Sequence, residues 1–261
     1  MAEVTEHIPF TPSWIDIGTD VEGAKAFYTS LFGWDAAEAG PVEETGGYGF
    51  FNKAGKMAAG YGPQQDPGPP HWSAYVSVPD AAAIATKVEG AGGSVVVSPM
   101  EVMGSGSFAV FQDDQGAFFS VWQPDQHRGA QVVREAGSMQ WVELNTRNVE
   151  TGKRFYAAVF GWDAETMTGG GMDYTEFKLG GESIAGMTEI SPEMPAEVPP
   201  HWLVYLGTDD VDATAAKAAE LGGSVIVPGT DFPGGRFALL NDPQGATFGV
   251  MRPDETMVSP S

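Results

Sequence analysis

Four side chains in this sequence could move a proton, and they recur as two pairs. Asp16 and Glu143 each stand two residues after a tryptophan, Trp14 and Trp141. His71 and His201 each follow Pro-Pro and precede a tyrosine by four residues, Tyr75 and Tyr205. An imidazole that titrates at about pH 6.5 beside a carboxylate is a competent acid–base pair. Plainer roles are open to the same residues. The histidines, set just after prolines, could hydrogen-bond a loop carbonyl, and the carboxylates could be solvated or pair with Arg or Lys. No G-x-S-x-G, H-E-x-x-H, P-loop or strand-borne G-x-G-x-x-G occurs, so those chemistries have no local signature.

The pairing reflects a duplication. Phe27-Tyr28-Thr29-Ser30-Leu31-Phe32-Gly33-Trp34-Asp35-Ala36 returns as Phe155-Tyr156-Ala157-Ala158-Val159-Phe160-Gly161-Trp162-Asp163-Ala164, an offset of 155 − 27 = 128. Pro69-Pro70-His71-Trp72 returns at an offset of 199 − 69 = 130, and Gln115-Gly116-Ala117 at 244 − 115 = 129. Offsets this constant across a whole half indicate a repeated domain rather than a short solenoid repeat. The expected boundaries are 1–125 and 139–261, with 126–138 as linker.

Each half divides again. Residues 14–17 alternate with the period of a strand. Ala24, Phe27, Tyr28 and Leu31 then fall at helical spacing, and Gly33 stops that helix. Runs at 48–52 and 57–61 read as strands, and after a turn-rich stretch the order restarts at His71. Asp80 is a natural N-cap for a helix over 81–89, Gly92-Gly93 ends it, and strands follow to residue 122. The second half repeats this, so the chain reads as four βαβββ units, an α+β fold paired into two domains. Within the first strands, Ile15, Ile17, Val142 and Leu144 should face the helices, which turns Trp14, Asp16, Trp141 and Glu143 the other way. The same alternation places His71, Tyr75, His201 and Tyr205 on that opposite face.

Bulk composition excludes several roles. With 35 acidic against 13 basic side chains the net charge is −22, which disfavours nucleic acid and anionic membrane as partners. An acidic surface that keeps the protein soluble accounts for that charge, and it would also favour a cationic ligand. The absence of cysteine removes disulfides, thiolate nucleophiles and zinc–cysteine sites. The first nine residues carry Glu3, Glu6 and His7 and no apolar core, and no stretch is long enough to span a bilayer, so a cytoplasmic protein is expected.

Paired βαβββ units, an FY-x-x-x-FGW helix end and a D-P/D-Q-G-A turn before the last strand resemble the vicinal oxygen chelate superfamily. That group includes glyoxalases, bleomycin-resistance proteins and extradiol dioxygenases. Within it the chain is most similar to tandem-domain glyoxalase-like proteins often labelled hydroxylases. The resemblance implies mixed sheets curled into cups that hold small ligands. It also implies four metal ligands per cup, usually His at the start of each unit's first strand and Glu on its last. At those positions stand Trp14, His71, Trp141 and His201, then Ser120 and Gly249, with Ala59 or Gly60 and Ala185 or Gly186 on the remaining strands. One imidazole per cup cannot by itself hold a divalent ion, so no metal and no other cofactor is expected, a divalent metal being the alternative.

The expected function is therefore small-molecule binding. Trp14, Tyr75 and Ser120, with Trp141, Tyr205 and Gly249, would wall the cups around an aromatic or hydrophobic metabolite or antibiotic. The alternative is an enzyme, a glyoxalase-type lyase, isomerase or hydroxylase. It would use His71, His201, Asp16 and Glu143 as catalytic acids and bases, or an unconventional metal site. A degenerate interaction module is the third possibility. A monomer or homodimer is expected.

Overall fold

Alternation along the first strand decides which side of it is core. Ile15 and Ile17 are sealed inside, while Asp16 between them stays partly exposed on the other face. The structure, a computed structural model, describes residues 3–168 and 173–254. The 255–261 end of the expected second domain lies outside the described residues.

The first half runs β1 (Pro12–Thr19), α1 (Val21–Phe32), β2 (Asp35–Glu38), α2 (Val42–Thr45), β3 (Gly49–Lys53), β4 (Lys56–Pro63), β5 (His71–Ser77), α3 (Ala81–Gly90), β6 (Ser94–Val102), β7 (Gly106–Gln112) and β8 (Phe118–Pro124). The second runs β9 (Met139–Thr146), α4 (Val149–Phe160), β10 (Asp163–Met167), β11 (Tyr174–Leu179), β12 (Glu182–Glu189), β13 (His201–Gly207), α5 (Val211–Glu220), β14 (Ser224–Phe232), β15 (Gly235–Asn241) and β16 (Thr247–Pro253). Each half is one eight-stranded mixed sheet, ordered β2-β3-β4-β1-β5-β8-β7-β6 in the first and β10-β11-β12-β9-β13-β16-β15-β14 in the second. Two units join where β1 runs antiparallel to β5, and each of these lies parallel to the last strand of its own unit, β4 or β8. Consecutive units therefore share a sheet, and the sheets stay open.

Local chemistry sets the helix ends. Asp20 and Asn148 cap α1 and α4 by accepting from Gly23 N and Thr151 N. Gly33, at φ 68°, takes the left-handed turn that closes α1 and returns its N–H to the Thr29 carbonyl. Asp80 caps α3 as the sequence predicts, accepting from Ala82 N and Ala83 N. Two elements are not legible from the pattern, β2 and the single turn α2. β2 is an edge strand with all four residues exposed, so no hydrophobic alternation marks it.

The two halves share one core. Tyr28 on α1 packs against Phe51 and Trp72 of its own sheet and against Phe248 on β16 of the other half. α1 meets α5, and α3 meets α4. The repeated motifs turn out to be partners across this boundary. Tyr28 Oη donates to Asp242 Oδ2 at 3.1 Å, and Tyr156 Oη donates to Asp113 Oδ2 at 3.1 Å. Each aspartate also accepts two backbone N–H groups within its own Gln-Gly-Ala turn. The FGW tryptophans cross over as well, Trp34 Nε1 donating to the Gly137 carbonyl at 2.9 Å and Trp162 Nε1 to the Phe10 carbonyl at 2.7 Å. Among the described residues no helix is long and apolar enough to cross a membrane.

Candidate functional site

The face of each sheet turned away from the helices carries the same four-residue network. In the first half the β1 residues Trp14 and Asp16 stand one strand position apart on that face. Trp14 Nε1 donates to the Tyr48 hydroxyl at 3.0 Å, and that hydroxyl donates to Asp16 Oδ2 at 3.0 Å. Tyr75 on β5 reaches the same carboxyl, with its oxygen 3.2 and 3.1 Å from Oδ1 and Oδ2. In the second half Trp141 Nε1 donates to the Tyr174 hydroxyl at 2.9 Å, and Tyr205 Oη donates to Glu143 Oε1 at 3.1 Å. Tyr174 lies close enough to Glu143 to oppose the upward push of burial on its carboxyl. Of the predicted site residues, the structure thus brings Trp14, Asp16 and Tyr75 together, and likewise Trp141, Glu143 and Tyr205.

Burial dominates the electrostatics of these networks. It pushes the Asp16 carboxyl up to about 6, against the opposing hydrogen bonds from Tyr48 and Tyr75. Glu143 is raised for the same reason. Burial, reinforced by the neighbouring carboxylates, holds the hydroxyls of Tyr48, Tyr75, Tyr174 and Tyr205 far above the ordinary phenol range. Near neutral pH the tyrosines keep their protons and act as donors to the carboxyls.

Ser120 and Gly249 occupy matching positions. Ser120 on β8 pairs with Tyr75, and Gly249 on β16 pairs with Tyr205. A Cβ on Gly249 would stand 2.1 Å from the Tyr205 ring. Gly60 and Gly186 are filled in the same way. A Cβ there would stand 2.0 Å from the Tyr48 hydroxyl and 1.9 Å from the Tyr174 hydroxyl. Where the vicinal oxygen chelate pattern leads one to expect carboxylate ligands, the strands carry residues without a carboxylate, and tyrosines occupy the space. Among the described residues no three His, Cys, Asp or Glu side chains converge as a metal site would require.

Each predicted histidine engages a loop carbonyl through one ring nitrogen, and His71 also acts on the Asp16 carboxyl, as the smallest of the influences that oppose its burial. His71 Nδ1 lies 3.0 Å from the Pro69 carbonyl, and His201 Nδ1 lies 2.9 Å from the Pro199 carbonyl. Both sit at the first position of their strands, and the His71 side chain is 48% exposed, with Asp66 beside it at 3.8 Å. The Pro69 carbonyl also accepts from Gln64 Nε2 at 3.3 Å. Neither histidine hydrogen-bonds Asp16 or Glu143.

Sequence reasoning missed three residues. Tyr48 and Tyr174 open the motif Tyr-x-x-Phe in both halves, at an offset of 174 − 48 = 126, and that repeat was available as a signal. The third is His127, which falls in the expected linker 126–138. Its ring packs edge-on to Trp14 with centroids 4.4 Å apart, so Trp14 is only 2% exposed. Trp141 remains partly exposed among the described residues. The first cup is also more aromatic. Phe50 packs near Trp14, whereas its counterpart is Glu176, which accepts a hydrogen bond from Ser183.

Comparison with known proteins places these features in a family. Residues 17–121 and 138–250 each match the family described as the Glyoxalase/Bleomycin resistance protein/Dioxygenase superfamily. The chain is 40% identical over 262 residues to "Putative glyoxylase CFP32" of Mycobacterium tuberculosis, covering 97% of this chain and 98% of that protein. It is 38% identical over 264 residues to "Anthracycline biosynthesis protein DnrV" of Streptomyces peucetius, covering 95% of each. Its fold is similar to that of the Mn(II)-bound glyoxalase from Novosphingobium aromaticivorans, with a TM-score of 0.63 at 16% identity over 93% of this chain and 82% of that one.

Proposed function

The chain belongs to the glyoxalase/bleomycin resistance protein/dioxygenase superfamily, and on that premise we propose that it is a metal-free binding protein for a planar aromatic metabolite or antibiotic. The observation that carries this reading is the tryptophan–tyrosine–carboxyl network built over Gly60 and Gly186. Each cup offers one carboxyl already engaged by tyrosine, Asp16 by Tyr48 and Tyr75 and Glu143 by Tyr205, and a histidine with one ring nitrogen on a loop carbonyl. That donor set does not suit a divalent ion with open positions for substrate, which needs several imidazole or carboxylate ligands converging. It does suit a flat ring bearing carbonyl or hydroxyl groups, which can stack on indole and exchange hydrogen bonds with phenol and carboxyl.

The likeness to a protein named for anthracycline biosynthesis supports a fused-ring aromatic ligand. The net charge of −22 adds long-range attraction for a ligand that carries an amine. The test is titration with an anthracycline, followed by quenching of tryptophan emission, alongside metal analysis of protein purified without chelator. Saturable quenching weakened about tenfold or more in Trp141→Ala is expected, a decade in affinity being about 1.4 kcal/mol. About one equivalent of zinc, nickel, iron or manganese per half, removable by chelator with loss of activity, would overturn the metal-free reading.

A second reading has one observation in its favour. Asp16 is partly exposed and its carboxyl titrates at about 6, which suits a proton carrier near neutral pH. In an enzyme, Asp16 would exchange the proton with the ligand while Tyr48 and Tyr75 hold the carboxyl in place. Asp16→Asn would then abolish turnover and keep binding, whereas a pure binding protein shows no turnover to lose.

A further inference from the structure

We propose that the space above Trp14 is a slot for one flat aromatic ring of the ligand, and that His127 fills it as the chain's own removable stand-in. This rests on the reading of the cups as aromatic-ligand sites. Three rings from three strands wall the slot. Trp14 on β1, Trp122 on β8 and Phe50 on β3 place their centroids 4.4, 5.4 and 5.8 Å from the imidazole, at angles of 84°, 62° and 48°. These are the separations and tilts at which aromatic rings attract one another. What occupies the slot is a planar five-membered heterocycle, so its shape is that of a flat ring.

The occupant fits the walls but not the polarity. Nδ1 and Nε2 of His127 are both sealed from solvent, and neither has a hydrogen-bond partner. Buried polar atoms are almost always paired, and an unpaired one is a net loss to the folded state. No charge offsets that loss, because burial, with a smaller contribution from nearby His7, pulls the imidazole down to about 4 and leaves it neutral. A histidine kept for packing alone would ordinarily find a carbonyl, as His7 does with Ala130.

The backbone is held independently of the ring. The His127 carbonyl accepts from Trp122 Nε1 at 2.8 Å, and its N–H donates to the Ser105 carbonyl at 2.9 Å. Rotation about the side-chain bonds can therefore empty the slot without unseating the segment. Vacating it frees the two nitrogens to meet water. A ligand ring entering in its place lies beside Tyr48, which touches both Phe50 and Trp14 and leads to Asp16. The slot belongs to the first cup alone, since Glu176 and Met251 stand where Phe50 and Trp122 do, at offsets of 126 and 129.

Two substitutions with opposite effects test this in the full chain, with an anthracycline as probe and tryptophan quenching as readout. His127→Ala empties the slot and should tighten binding about tenfold. His127→Phe keeps the slot filled by a ring without unpaired nitrogens, so it should weaken binding about tenfold while raising Tm. Free imidazole should raise the Tm of His127→Ala and leave the unsubstituted protein unchanged. Should His127→Ala be too unstable to purify, His127→Phe decides alone. Saturable binding that Trp141→Ala weakens but both His127 variants leave unchanged overturns the slot and leaves the proposed function standing. Absence of any response of His127→Ala to anthracycline or imidazole overturns both.

Discussion

The Tyr48 hydroxyl lies 2.0 Å from the point where a Cβ on Gly60 would stand. The same relation holds at 1.9 Å between Tyr174 and Gly186. Glycine at these positions is what allows a phenol to reach the carboxyl on the neighbouring strand. Asp16 pairs with Gly60 across β1 and β4, and Glu143 with Gly186 across β9 and β12. The network and the missing carboxylate on that strand are one structural fact.

Gly60→Ala should therefore displace Tyr48 and cost about 1–3 kcal/mol of stability through overpacking and the lost bond to Asp16. In a Tyr48→Ala background the added methyl no longer meets a hydroxyl but still meets the Asp16 Cβ, at 2.9 Å, so the same substitution should cost less. Urea unfolding of the four proteins in this double-mutant cycle measures the coupling. A coupling near zero would contradict the steric relation.

The Asp16 carboxyl titrates at about 6 in the folded protein against the 3.8 of an unperturbed aspartate. Between those values the folded state holds more protons than the unfolded one, so Asp16 makes stability fall as pH rises from about 4 to about 6. The difference corresponds to about 3 kcal/mol once Asp16 is fully ionised. Asp16→Asn should remove this dependence. The difference in unfolding free energy between the two proteins, followed across that window, should grow in favour of the variant as pH rises. A difference that does not change with pH would place the carboxyl at an ordinary value.

Tyr28 both accepts from Trp72 Nε1 at 2.9 Å and donates to Asp242 across the halves. Tyr28→Phe takes the partner from Trp72 Nε1 and from Asp242 Oδ2 and should cost about 1–3 kcal/mol, as should Tyr156→Phe at the matching place. Because one core spans both halves, calorimetry should show a single transition, lowered as a unit by either substitution. Two separable transitions, only one of them moved by Tyr28→Phe, would mean that the halves unfold independently.

His71 and His201 hydrogen-bond loop carbonyls at the ends of their strands. His71→Ala and His201→Ala should shift stability by less than about 1 kcal/mol each and leave anthracycline affinity within about twofold. A loss of turnover with binding kept would instead return these residues to an acid–base role.

The repeat, the alternation at Ile15 and Ile17, the Asp80 cap and the Gly33 stop are local or periodic features, so the four βαβββ units were legible in the residues themselves. Identity at Trp14 and Trp141, Tyr75 and Tyr205, and similarity at Asp16 and Glu143, placed most of the network, because strand alternation dictates the face. Three things depended on tertiary structure. Tyr28 and Asp242 lie 214 residues apart, and no local pattern says that the helix motif of one half completes the turn motif of the other. His71 shares the Pro69 carbonyl with the Gln64 side chain, a contact that strand periodicity does not encode. His127 entered the first cup because the chain after β8 folds back over Trp14, a contact without any period to betray it. Periodicity assigns a side chain to a face, and only the packing of distant segments decides what that face meets.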